Sequence, residues 1–429
     1  MTRRLRALGL AAALLALAQC TTPPPSSSPP PAQSRLDGQA RVLEPFFNAL
    51  AELEDGSADG PVVVVQLGDS HTAGDQFSGK IRERLQQRFG NAGRGMLPPG
   101  VPFDYYRPTG VEVTQTDGWR IANSFDRDDA GIFGLSGFRA ETGRAGAAMV
   151  LTATGDAGFD RAAVDILRQP AGGALIARID DGPPTRIETA GTGTGWIDIP
   201  TPPDSRTLTL ETAGDGPVSL LGWSVGRSRP GVVLDSHGIV GATVNVVGRW
   251  SREAVTADLA ARNPDLVILV YGTNEGFNDG LDPAAYQRDF AARLDFLKRA
   301  APGAAFLVVG PPDGNRLPEG CAREGQPFSC TPEAAAGSCA WSPPPMLDEV
   351  RAIQRQAALE QRAYYWDWSQ VMGGVCGTHR WTRLDPPLTY GDHVHMTSAG
   401  YARSADALVD HLMMLYDRYR GEGDQMASR

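Results

Sequence analysis

A chain of 429 residues is longer than one compact domain usually needs, and 41% hydrophobic with 21% charged residues gives ample material for a core. That balance excludes a chain disordered throughout and a polytopic membrane protein. The formal net charge of −10 excludes nucleic acid as the main partner, because phosphate neutralisation needs clustered Lys and Arg.

The chain opens MTRRLRALGLAAALLALAQC, with Arg3, Arg4 and Arg6 ahead of an apolar run at 7–18 too short to span a bilayer as a mature helix. Residues 1–19 are expected to be a secretory signal peptide. Two processing routes fit. Leu17-Ala18-Gln19-Cys20 resembles a bacterial lipoprotein box with Cys20 lipidated, although Gln19 stands where a small residue is normally required; Ala16-Leu17-Ala18 fits ordinary signal peptidase. The Pro/Ser-rich linker at 20–38 favours the lipoprotein, since such a stretch stays extended and cannot pack. An exported, periplasmic protein is expected, attached to the membrane if Cys20 is lipidated. The other cysteines, Cys321, Cys330, Cys339 and Cys376, are even in number. Two disulfides are expected, with three pairings open, and the lack of a C-x-x-C pair argues against a zinc ribbon.

In chain order, residues 62–67 form an apolar run broken only by Gln66, as in a central parallel strand covered on both faces. After the turn GDSH, Phe77, Ile81, Leu85 and Phe89 make one helical stripe. From 101 to 233 the texture changes to Gly, Thr and Pro with short alternating runs such as ALIARIDD and TLTLET, the pattern of an all-β module. The β/α rhythm then returns. Residues 265–271 read as a second buried strand, and Asp282-Pro283 leads a helix carrying Tyr286, Phe290, Leu294 and Leu297. A third strand follows at 305–310, then a helix at 346–362, the strand AYYWDW, and a last helix to about 419 capped by Thr397 or Ser398. The fold class is α/β: one sandwich in two parts, 39–100 and 234–419, interrupted by an inserted β domain at 101–233, with a tail at 420–429 and no internal repeats.

Ligands of open parallel sheets sit at the carboxyl ends of strands. There this sequence places Ser70, then GIVGATV with Gly238 and Gly241, YGTNEGF with Asn274, and GDHVHMTSAGY with Asp392 and His395. Singly each is weak: a Gly-Asp-Ser is most often a turn, and an Asn in a turn usually bonds its own backbone. Jointly they supply what a serine hydroxyl lacks, namely a base, a carboxylate to hold the base's tautomer, and donors for an oxyanion.

The blocks GDSHTAGD, GIVGAT, YGTNE and DHVH resemble the four signature blocks of the SGNH (GDSL) hydrolases. ADLAARNPDLVILVYGTNEGF, WDWSQVMGGVC and DHVHMTSAGY further resemble the bacterial peptidoglycan O-acetylesterases, which deacetylate the C6 hydroxyl of N-acetylmuramic acid and carry a carbohydrate-module-like β insert after the first block. The resemblance implies a three-layer αβα sandwich with a central parallel sheet and a jelly-roll-like insert. It implies Ser70 as nucleophile, His395 as base, Asp392 as its orienter, and the N–H groups of Ser70 and Gly241 with the Asn274 amide as oxyanion hole. Glu275 stands where many members have Asp. The resemblance also implies a Cys339–Cys376 pair, leaving Cys321–Cys330 as a short local bridge.

Several rivals accompany these residues. His393 competes with His395, though the D-x-x-H spacing favours the latter; Asp385 is a weaker substitute for Asp392. His71 and His237 fit pocket-lining or structural roles, and Asp69 fits a turn bond. His71, Asp75, Asp392, His393 and His395 could together ligate zinc, but the serine mechanism is complete without one, so no metal and no cofactor are expected. Trp119, Trp196 and Trp223 of the β-rich region fit either sugar stacking or a core. The expected function is an exported serine acetylesterase acting on peptidoglycan. Its rivals are an O-acetyltransferase or an esterase for another O-acetylated polysaccharide, and a non-catalytic wall-binding lipoprotein.

Overall fold

The structure, a computed structural model, describes residues 38–155, 158–321, 329–333 and 339–421. The expected signal peptide, Cys20, nearly all of the Pro/Ser-rich linker and residues 422–429 lie outside the described residues. Among the described residues no helix is long and apolar enough to cross a membrane.

Five parallel strands form one sheet in the order Gly231–Gly238, Pro61–Gly68, Leu266–Val270, Ala305–Gly310, Tyr364–Asp367. Pro61–Gly68 is hydrogen-bonded on both edges and buried on both faces, which is why its sequence is a run rather than an alternation. Successive side chains nevertheless part. Val62 and Val64 join a core with Phe46, Phe77, Leu85 and Leu412, whereas Val63, Val65 and Leu67 join another with Phe290, Leu294 and Val350. The first core belongs to helices Glu44–Asp55, Gln76–Phe89 and Ser398–Arg420, the second to Arg252–Arg262, Pro283–Ala300 and Leu347–Glu360. This is a three-layer α/β fold, a parallel sheet with helices on both faces. Each fully buried valine of the strand contributes on the order of 1.5–3 kcal/mol. Asp282 caps its helix by accepting from the N–H groups of Ala284 and Ala285, and Thr397, not Ser398, caps the last helix.

Between these elements two antiparallel sheets face each other. One runs Thr194–Ile199, Arg161–Leu167, Val218–Gly226, Phe138–Thr142, Arg120–Asn123; the other runs Val111–Gln115, Ala148–Ala153, Thr207–Thr212, Ala174–Ile179, Thr185–Glu188. Leu151, Leu210, Ile166 and Trp223 fill the space between them. The antiparallel pairing takes in Gly93–Leu97, ahead of the texture change at 101, and Gly231–Gly238, which crosses 233, belongs to the parallel sheet. Of the two roles weighed for Trp223, sugar stacking and core, its full burial gives core. Trp119 is partly buried against the same core, and Trp196 donates through Nε1 to Asp258 at 3.0 Å.

The disulfides are Cys321–Cys339 and Cys330–Cys376, which corrects the expected Cys339–Cys376 and Cys321–Cys330 pairs. Backbone pairing decides the matter. An antiparallel bridge between Arg316 and Ser342 brings the segments that carry Cys321 and Cys339 alongside each other, and Cys330 pairs in parallel with Trp341, whose ring stacks on His393 beside the helix that follows Cys376.

At the seam between the sheets and the helical layer, Asp258 accepts from the Leu135 N–H at 2.8 Å as well as from Trp196. Asp165 lies beside it, fully buried, and that burial together with the facing Asp258 carboxylate holds its pKa well above the usual range. A raised folded pKa means stability is present at low pH and lost as pH rises through the raised value. Thermal unfolding from neutral to alkaline pH should therefore show a smaller fall in Tm for Asp165→Asn than for the wild type; equal falls would sink the assignment.

Candidate active site

The buried strand ends at Gly68, and the chain turns at once into a one-turn helix, Ser70–Ala73, capped by Asp69, whose Oδ1 accepts from the His71 N–H. A Cβ at Gly68 would stand 2.3 Å from Thr72 Oγ1 and 2.7 Å from the Val270 carbonyl. At Gly238, its register partner on the next strand, a Cβ would stand 2.1 Å from the Ala73 nitrogen. Only glycine permits so close an approach at either position.

Ser70 Oγ lies 3.0 Å from His395 Nε2, and His395 Nδ1 lies 2.7 Å from Asp392 Oδ2. The other carboxylate oxygen of Asp392 accepts from the N–H groups of Val394 and His395, both at 3.0 Å. Partial burial pushes the Asp392 pKa up, but the His395 hydrogen bond and these two N–H groups bring it down to about 2. The same bond from Asp392 raises the His395 pKa, against partial desolvation. With Nδ1 carrying its proton toward Asp392, Nε2 accepts from the Ser70 hydroxyl, the arrangement that activates a serine for acyl transfer.

Two further loops close on this turn. The Ile239 N–H donates to the Gly68 carbonyl at 3.0 Å, leading into Val240 and Gly241, which has φ +76°. Asn274, in the turn Thr273–Gly276 after the strand Leu266–Val270, donates from Nδ2 to the Ala242 carbonyl at 2.8 Å. Glu275 accepts from the Val244 N–H at 2.8 Å. Asn274 and Glu275 thus clamp the loop that carries Gly241. Burial raises the Glu275 pKa to about 7, and burial together with the nearby Glu275 carboxylate raises Asp69 to about 7.

The remaining candidates lie elsewhere. His393 turns away from Ser70: its ring stacks on Trp341 at 3.4 Å, and its Nε2 lies 3.2 Å from His379 Nδ1. Trp341 is held by backbone bonds to Ser329 and Thr331, around the Cys330 that bridges to Cys376, and Cys376 begins the helix bearing His379. These contacts close a ring behind the His395 loop. His71 is buried and hydrogen-bonded to the Tyr401 hydroxyl at 3.0 Å, its ring edge-on to Trp368 and 5.6 Å from that of His395. Burial and the neighbouring His395 lower its pKa to about 3, so it stays neutral. His237 is buried and lowered to about 4 by desolvation. Of the two roles weighed for His71 and His237, pocket lining and structural, burial fits the structural one. Asp75 is bound by Arg82, Arg94 and Thr109; burial pushes its carboxyl up, but the Arg82 and Arg94 guanidinium groups hold it well below the usual range, and Asp385 lies in an exposed loop. Among the described residues no group of three or more His, Cys, Asp and Glu converges on a point where a metal could bind. Of the five weighed as zinc ligands, His71 bonds Tyr401, Asp75 bonds Arg82 and Arg94, His393 bonds His379, and Asp392 and His395 bond each other.

The sequence profile of the GDSL-like Lipase/Acylhydrolase family matches residues 189–403. The match takes in Gly241, Asn274, Asp392 and His395, and Ser70 joins them through the contact with His395. Among solved structures, a peptidoglycan O-acetylesterase is similar over 87% of this chain and 96% of its own, at 27% identity and a TM-score of 0.72. A family two carbohydrate esterase from Cellvibrio japonicus aligns over 72% of this chain and 98% of its own, at 14% identity and a TM-score of 0.28, too distant to inform the site. No curated protein matches the chain.

Followed by NMR, His395 should titrate above the ordinary imidazole range, and Asp392→Asn should lower that value while leaving His71 neutral. An unchanged His395 titration in the variant would show that Asp392 does not set it.

Proposed function

Because the chain belongs to the GDSL-like lipase/acylhydrolase family and is a carboxylic ester hydrolase, we propose that it is an exported serine esterase removing O-acetyl groups from peptidoglycan, at the C6 hydroxyl of N-acetylmuramic acid. The observation that carries this reading is the hydrogen-bonded chain from Ser70 through His395 to Asp392, at 3.0 and 2.7 Å. Likeness to a peptidoglycan O-acetylesterase over nearly its whole length supports the substrate, and two disulfides are compatible with export. Processing of residues 1–19 and lipidation of Cys20 belong to the same reading.

In this mechanism His395 takes the Ser70 proton as Oγ attacks the acetyl carbonyl. The oxyanion lies against the N–H groups of Ser70 and Gly241 and the Asn274 amide, whose second N–H is left over after the bond to Ala242. His395 then protonates the departing sugar oxygen. Water, deprotonated by the same imidazole, releases acetate and restores Ser70. Neutral His71 adds no competing positive charge beside His395. The β-rich region at 101–233 is read as an inserted, jelly-roll-like domain that positions the glycan, between hydrolase parts at 39–100 and 234–419.

Acetate release from O-acetylated peptidoglycan should be abolished by Ser70→Ala, and Asn274→Ala should lower kcat by about 10²–10³. If Ser70→Ala releases acetate as the wild type does, the nucleophile is wrong; release from acetylated xylan but not from peptidoglycan reassigns the glycan. The acid limb of kcat/KM follows protonation of His395, so activity falls as pH drops through its raised pKa, and Asp392→Asn should move that limb to lower pH.

A further inference from the structure

Resting on the reading of Ser70 as the nucleophile of a glycan esterase, we infer that Phe125 and Tyr390 form the slot that grips the pyranose ring bearing the acetyl group, with Phe125 supplied by the β-rich region. Large apolar side chains are rarely left exposed without a use when they cluster at one site. Phe125 is 46% exposed, Val240 37% and Tyr390 53%, and none of the three belongs to a core cluster. Val240 and Tyr390 stand on the loops that carry Gly241 and His395, and the Phe125 ring reaches the Gly241 position.

The Phe125 ring lies 3.6 Å from where a Cβ at Gly241 would stand, so it flanks the expected oxyanion donor and adjoins Val240. Tyr390 belongs to the other loop: its N–H donates to the His395 carbonyl at 2.8 Å, and its own carbonyl accepts from the His393 N–H at 3.1 Å. One aromatic therefore adjoins each of two loops that reach the nucleophile turn, the Gly241 loop and the His395 loop. Phe125 is displayed on a fixed turn. Asn123 Oδ1 accepts from the N–H groups of Phe125 and Asp126, and the neighbouring Ser124, fully buried, accepts from Trp250 Nε1 at 2.9 Å and donates its N–H to the Gly137 carbonyl.

The surroundings select a sugar over a fatty acyl chain. A pyranose offers a C–H face to an aromatic ring and hydroxyls at its edge, whereas an acyl chain needs a continuous apolar trench. Asp126, Arg127 and Asp128 follow Phe125 directly and are all exposed, placing hydrogen-bonding groups at the edge of the ring and breaking any trench.

The test compares wild type, Phe125→Ala and Tyr390→Ala on O-acetylated peptidoglycan, acetylated xylan, and 4-nitrophenyl esters of short and longer acids. Each variant should raise KM for the glycan that is cleaved by about tenfold with kcat held within about twofold, since ring stacking is binding shared by ground and transition states. The loss on glycan should exceed the loss on aryl acetate, and Phe125→Tyr should restore most of it. Equal falls in kcat on every ester would mean that Phe125 only props the Gly241 loop, and would overturn the inference. So would unchanged glycan kinetics, or losses that grow with acyl-chain length. If the wild type cleaves xylan and not peptidoglycan, the substrate reading fails while the slot is judged on xylan KM. If it cleaves no polysaccharide, both fall.

Discussion

Everything in the site depends on how closely a helical turn settles onto the ends of two neighbouring parallel strands. Ser70–Ala73 sits across Gly68 and Gly238, which are paired in register and are the positions where a methyl group would collide with Thr72, Val270 or Ala73. The contact shortens the passage from strand to helix to one residue, Asp69, and leaves Ser70 at the mouth of the sheet. Loops from the flanking strands then find the same point, because parallel strands end together. The Gly238 strand delivers Ile239 to the Gly68 carbonyl, and the strand Leu266–Val270 delivers Asn274 and Glu275 to the loop bearing Gly241.

Electrostatics sharpen what packing assembles. Of the ionisable groups nearest Ser70, only the Asp392–His395 pair reaches solvent appreciably. The buried acids Asp69 and Glu275 are raised toward neutrality, and buried His71 is held without charge. A low-dielectric floor beneath the turn thus disfavours stray ions, and a change of protonation is concentrated on the one imidazole that faces the hydroxyl.

How much of this could be read from the residues follows from the range of each interaction. The parallel strands and their helices were legible because burial patterns are local: a valine run before GDSH, a four-residue stripe after it, Asp282-Pro283 at a helix start. The convergence of Ser70, Asp392 and His395 was legible because strand ends of such a sheet share one edge. The disulfide pairing was not, because it is decided by two backbone bridges, Arg316 to Ser342 and Cys330 to Trp341, that leave no pattern in spacing. Nor was the reach of the antiparallel sheet to Gly93–Leu97, whose GRGML sequence carries little strand propensity. Phe125 gave no signal at all, being a single aromatic in a polar loop. His393 was weighed only by its spacing to Asp392, and its stacking on Trp341 depends on a segment some fifty residues away.

That stack gives the cysteines a meaning beyond stability. The His395 loop is backed by His393, which leans on Trp341 and His379; Trp341 and His379 are in turn joined through Cys330 and Cys376. With the thiols reduced, this ring is open, and noncovalent contacts alone hold the back of the loop that carries the base. The order of the base therefore depends in part on two cysteines that touch neither Ser70 nor His395, and a covalent bond remote from the chemistry helps fix the back wall of the loop that performs it.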